Sequence, residues 1–166
     1  RLPAGRSGPA SSADTPDVQR HVLANGLTVL LAPNEGLPAF CLNVVVGAGA
    51  RYESDDKAGL ASLAGGLLEE GTASRTADEI AEAIENVGAH LLTFGGYTHS
   101  GVRVIGLSED LRLSVDLASD CIRNPSFPDD RVQLHVDRRL ALPAAERGPG
   151  PVLGAIGIRW AVNPER

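Results

Sequence analysis

Metal or acid–base chemistry needs imidazoles, thiols and carboxylates at short, regular spacings. Few of those side chains are so placed in this chain. Its four histidines are His21, His90, His99 and His135, and no two of them form H-x-x-x-H or H-x-x-E-H. His21, His90 and His99 read as ordinary surface or strand residues. His135 falls within a predicted helix, where a lone imidazole holds a metal only if partners converge on it. Cys41 and Cys121 both lie in apolar contexts and read as buried free thiols, with a disulfide open only if the fold brings them together. Glu69 and Glu70 form a carboxylate pair at a helix C-terminus, where the dipole disfavours negative charge and acids tend to sit in solvent. Asp129 and Asp130 open a helix, where the same dipole favours them. Gly95-Gly96 lacks the following Lys and Ser/Thr of a phosphate-binding loop.

The elements that must position these residues follow from periodicity and punctuation. The segments 19–23 and 27–31 flank Asn25-Gly26 and read as a β-hairpin. Alternation from Phe40 to Val46 predicts a strand. A helix is predicted over 58–70, stopping at Gly71, with Leu60, Leu63, Ala64, Leu67 and Leu68 as an apolar stripe. Ser62, Gly65 and Gly66 then share the opposite side. Thr76 with Glu79 makes a capping box for a second helix carrying Ile80, Ile84 and Val87 inward and ending at Gly88. Strands are predicted over 90–94 and 97–107. A third helix, capped by Ser108, turns Leu111, Val115, Ala118 and Ile122 inward. A fourth follows Pro128 through Val132, Val136 and Leu140 to Pro143. After a Pro/Gly loop over 143–151, residues 152–162 read as helical.

Hairpins followed by strands interleaved with helices predict an α+β fold, an antiparallel sheet with helices packed on one face. The 166 residues suffice for one ordinary core. Residues 1–18 are rich in Pro, Gly, Ser and Ala and read as a disordered or processed lead, leaving 19–166 as the structured part. The net charge of −6 with no basic block argues against a nucleic-acid partner. No run of 18 apolar residues marks a membrane span.

The run Gly47 to Glu53, then Gly59-Leu60-Ala61 and the following Gly71-Thr72, resembles the signature of the pitrilysin/insulinase family of zinc metallopeptidases. Asn25-Gly26-Leu27, Gly88-Ala89, Ser108 to Leu111 and Pro125 to Pro128 extend that resemblance in order, over about residues 20–140. Active members carry G-L-A-H-x-x-E-H in the first helix, the inverted zinc motif. Here Ser62 and Gly66 stand at the two histidine positions and Gly65 at the glutamate. Serine is a poor zinc ligand and glycine offers no donor, so the resemblance implies a frame without its chemistry and no cofactor, zinc being that of active members. The family's third ligand lies on the helix after the Pro125-Ser126-Phe127 turn, and counting along it leaves His135 as a candidate metal residue.

The resemblance also implies a cleft-edge strand over Leu91, Leu92 and Thr93, with Leu92 and Thr93 replacing the family's Asn-Ala, to which peptide adds as an extra strand. It implies the front portion of a longer domain. It implies too a non-catalytic, bacterial-type member of periplasm or cytoplasm, paired with an active homologous subunit or with further domains. The alternatives are part of a metallopeptidase whose active motif lies outside this chain, and a structural subunit of the complex III core type. Restoring Ser62→His, Gly65→Glu and Gly66→His is expected to raise zinc uptake unless His135 and its neighbours fail to supply the third donor.

Overall fold

A computed structural model describes residues 17–34 and 36–141. They divide between Pro38 and Ala39 into two compact units. The predicted loop over 143–151 and helix over 152–162 lie outside the described residues, as does nearly all of the predicted lead. In the first unit β1 (Gln19–Val22) pairs antiparallel with β2 (Thr28–Leu31). The Asn25-Gly26 turn is closed by Leu27 N–H, which donates 3.1 Å to Asn25 Oδ1, so the predicted hairpin is present.

The second unit is α+β. Its sheet holds β3 (Ala39–Val46), β4 (His90–Gly95) and β5 (Ser100–Leu107), in the order β3-β5-β4 and antiparallel throughout. Alternation decides its faces. Val102 and Val104 are fully buried, with Phe40, Leu42, Val44 and Leu91 packed beside them. Arg103, Ile105, Cys41, Asn43, Val45 and Leu92 are exposed. Ile80 and Ile84 of α2 (Ala77–Glu85) and Leu117, Ala118 and Cys121 of α3 (Leu111–Arg123) close over the buried face. A second, smaller cluster joins Leu63 and Leu67 to Val132 of α4 (Asp129–Ala141).

Several boundaries differ from expectation for physical reasons. The first helix, α1, is only Leu60–Gly66. Beyond it the bonds tighten to i→i+3, with Leu67 N–H on Ala64 O and Leu68 N–H on Gly65 O, so two glycines in succession end the helix early. Strand β5 starts at Ser100, because residues 96–99 make the turn from β4. Ser108 opens a 3-10 turn and caps nothing with its side chain. The face of α3 is rotated. Ala118 and Ile122 pack inward as expected, but Leu111 and Val115 are 42% and 46% exposed, and Ser114, Leu117 and Cys121 are buried instead. Leu140 of α4 is likewise exposed. Cys41 is an exposed free thiol on the helix-free face, and only Cys121 matches the buried reading. The capping box at Thr76 is formed reciprocally with Glu79, as expected.

Candidate functional site

Helix α1 is fixed on three sides. At its start Glu53 does the capping: Gly59 N–H donates 2.8 Å to Oε2 and Ala61 N–H donates to Oε1. Gly59 itself has φ +98, a conformation open to glycine and strained for other residues. A carboxylate accepting two free N–H groups satisfies the helix end and its dipole together.

On the second side α1 meets β4 backbone to backbone. A Cβ built on Gly65 would fall 2.5 Å from Gly95 Cα and closer still to Gly95 N. One built on Gly95 would fall 2.6 Å from the Ala61 carbonyl carbon. The three motif positions therefore do not share a face: Gly65 is buried against β4, while Ser62 and Gly66 turn towards α4. The close-packing reading of the glycines holds at Gly65. Restoring Gly65→Glu would require α1 to shift against the sheet, a steric obstacle that stands against the expected rise in zinc uptake.

On the third side stands α4. Arg131, His135 and Arg139 recur every four residues and so line one stripe. Arg139 donates from its guanidinium to Ser62 Oγ. His135 Nε2 lies 2.7 Å from Glu70 Oε1, and Arg131 donates 3.4 Å to Glu70 Oε2. Gly66 faces the His135 ring, 3.8 Å from where its Cβ would be to Nδ1. Glu70 is thus no solvated helix-end acid; its side chain is 16% exposed. Burial raises the pKa of the neighbouring Glu69 carboxyl, an effect partly offset by a hydrogen bond with the Thr93 side chain.

These residues do not fit zinc. Ser62 and Gly66 supply no metal donor, Gly65 has no room for a base, and His135, its Nε2 paired with Glu70, has no further donor grouped beside it among the described residues. Among the described residues no three His, Cys, Asp or Glu side chains group as a metal site. Sequence reading expects Glu70 in solvent and takes Glu53 only as the end of a motif, while it passes over Arg131 and Arg139 altogether. The four-residue period of Arg131, His135 and Arg139 was the visible signal for the last two. His21 and His90 are exposed, and His99 is exposed and bonded to Thr98 Oγ1 at 2.6 Å.

Strand β4, carrying Leu91, Leu92 and Thr93, is an edge of the three-stranded sheet. Gly96 N–H donates to His99 O at 2.8 Å, and the register continues unbroken from that turn. Hydrogen-bonded and non-bonded pairs alternate in an antiparallel ladder. Counted from Gly96, Leu92 and Phe94 turn their amides to β5, whereas Leu91 and Thr93 turn theirs outward. Beside Leu91 runs a groove of about 380 Å³, with Ile80, Ile84 and Ala81 of α2 on one wall and Glu69 and Glu85 at its margins. No described helix is long and apolar enough to cross a membrane.

The sequence profile of the insulinase family (peptidase family M16) matches residues 28–142. Cytochrome b-c1 complex subunit 1 of Mus musculus is 32% identical over 142 residues, covering 82% of this chain and 29% of its own length. Mitochondrial-processing peptidase subunit beta of the same species is 28% identical, over 80% of this chain and 27% of its own. An uncharacterized zinc protease of Rickettsia felis is 28% identical, over 66% and 27%. Among solved structures, an inactive peptidase M16 domain from Pseudomonas fluorescens superposes with TM-score 0.69 at 26% identity, covering 75% of this chain and 31% of that one. Pitrilysin shares the fold, with TM-score 0.67 at 21% identity, over 78% and 14%. The chain thus spans under a third of the length of these relatives.

Proposed function

The chain belongs to the insulinase (peptidase M16) family, and from that premise we propose that it is a non-catalytic member that holds extended peptide and works beside a zinc-bearing homologue. One observation carries the reading: the positions that would supply two zinc ligands and a general base are Ser62, Gly66 and Gly65, and their surroundings are filled by protein. Hydrolysis of a peptide needs an activated water and a group to take its proton, and α1 supplies neither. The likeness to an inactive M16 domain accords with this.

What remains useful on such a frame is backbone. The outward amides of Leu91 and Thr93 on the β4 edge suit strand addition, in which main-chain bonds give affinity and alternate side chains give selectivity. Leu92 sits between them with its side chain 54% exposed on the helix-free face. The active partner is a homologous subunit or another domain of the same protein, since the relatives are over three times longer than the matched segment. The 32% identity to a cytochrome b-c1 subunit favours a second reading, a structural subunit of a respiratory complex.

The test is elemental analysis of the purified chain together with peptide hydrolysis with and without chelator. The expected result is substoichiometric metal and no chelator-sensitive cleavage. One tightly held transition ion per molecule, or cleavage abolished by chelator, would overturn the proposal. Purification with a membrane-bound respiratory assembly would favour the second reading.

A further inference from the structure

We infer that the junction of α1 with α4 is a metal-free tie, in which Arg131, His135 and Arg139 perform by side-chain bonding the cross-linking that a metal ion would perform between these two elements. The need for such a tie is visible in the packing. Val132 is the one buried residue of the thirteen in α4. It belongs to the small cluster with Leu63 and Leu67, apart from the main core under the sheet. Among the described residues only Leu60, Phe127 and Val136 add to that cluster. Helix α4 is therefore attached, among the described residues, chiefly through α1 and the turn behind it, with Arg131 also 3.9 Å from Asp78 of α2.

The polar stripe strengthens that attachment along its length. Arg131 and His135 converge on the two oxygens of one carboxylate, Glu70 in the turn that follows α1, and Arg139 reaches Ser62 within α1 itself. Bonds to charged groups that are mostly shielded count for more than exposed pairs. Glu70 and His135 are 16% and 23% exposed. Glycine at position 66 leaves the His135 ring its place. The metal positions are thus occupied by a working contact, and the hold of α4 on the domain is independent of metal.

Hydrogen exchange on the whole chain tests this, read at the amides of α4 and, as a reference, of β5. Glu70→Gln weakens both contacts to the stripe and should speed exchange in α4 about tenfold or more, with β5 unchanged. Arg139→Gln, which removes only the bond to Ser62, should speed it about threefold or more. It is read in place of Glu70→Gln if that variant unfolds globally. Zinc or chelator added to the unsubstituted protein should change nothing. Unaltered α4 protection in the substituted proteins would overturn the inference, as would slowed α4 exchange on adding zinc.

Discussion

Gly65 and Gly95 meet across the α1–β4 interface: a side chain on Gly65 would need the space of the Gly95 backbone, and one on Gly95 the space of the Ala61 carbonyl one turn earlier in α1. Helices approach a strand this closely only where both partners lack Cβ. The pair explains why a helix interior tolerates a residue of poor helix propensity at position 65. It also explains why the peptidase glutamate cannot be put back there by substitution alone.

Gly65→Ala and Gly95→Ala should each cost about 2–3 kcal/mol, the range for forcing atoms into a packed interior. Gly66→Ala is the control: its Cβ would meet only the His135 ring at 3.8 Å. Better helix propensity should make it neutral or stabilising by up to about 1 kcal/mol. Urea unfolding of the three variants separates the cases. Equal effects at 65 and 66 would show that propensity, not contact, governs α1.

The alternation of β3, the capping box at Thr76 and the Asn25-Gly26 turn were legible in the sequence because each is decided within a few residues. Other features were not. The inner face of α3 holds Ala118 and Ile122 as expected, but its stripe also takes in Ser114, whose hydroxyl has no partner, and Cys121 in place of Leu111 and Val115. Leu111 and Val115 carried more apolar weight and were read as inner. The missing zinc ligands were legible from residue types alone. What replaced them was not, since the partners of Glu70 and Ser62 come from more than sixty residues away.

Asp120 sets an acid limit on stability. It accepts hydrogen bonds from Asn124, Thr72, Ser74 and Arg75, and these lower its pKa to about 2. A carboxyl held below its unfolded value stabilises fully above that value, and its contribution fades as pH falls through the folded one. The loss should therefore span about pH 4 to pH 2, and amount to about 1–2 kcal/mol after solvent screening is allowed for. Asp120→Asn should be less stable at neutral pH and show a flatter acid limb in thermal scans. An unchanged limb would mean that the loop over 71–76 is held by other contacts.

The two thiols should differ sharply in reactivity. Burial pushes the Cys121 thiol up to about 11, and its side chain is wholly enclosed. Cys41 is exposed on the sheet face without helices. Since thiolate and access both control attack, a disulfide reagent at neutral pH should titrate one thiol in the native protein and two in denaturant. Cys41→Ser should abolish the native reaction. Two fast thiols in the native state would show that α3 does not cover Val102 and Val104 as described.

Peptide addition to β4 makes a prediction that depends on which way each amide points. Thr93→Pro removes an N–H that faces the open edge and leaves the ladder to β5 intact, a placement that sheets accept. Leu92→Pro removes one that faces β5 and should disrupt the sheet. Binding is measured by fluorescence polarisation with labelled, unstructured peptides, one basic, one acidic and one apolar. Thr93→Pro should weaken whichever peptide binds by about tenfold or more, since each lost main-chain bond leaves a partner unpaired. Its melting temperature should fall modestly, through loss of the Thr93 side-chain bond to Glu69, and that of Leu92→Pro should fall well below it. Equal affinity in Thr93→Pro and parent would remove β4 as the docking edge. Absence of binding by all three peptides to the parent would count against the peptide-holding role itself and favour the structural subunit.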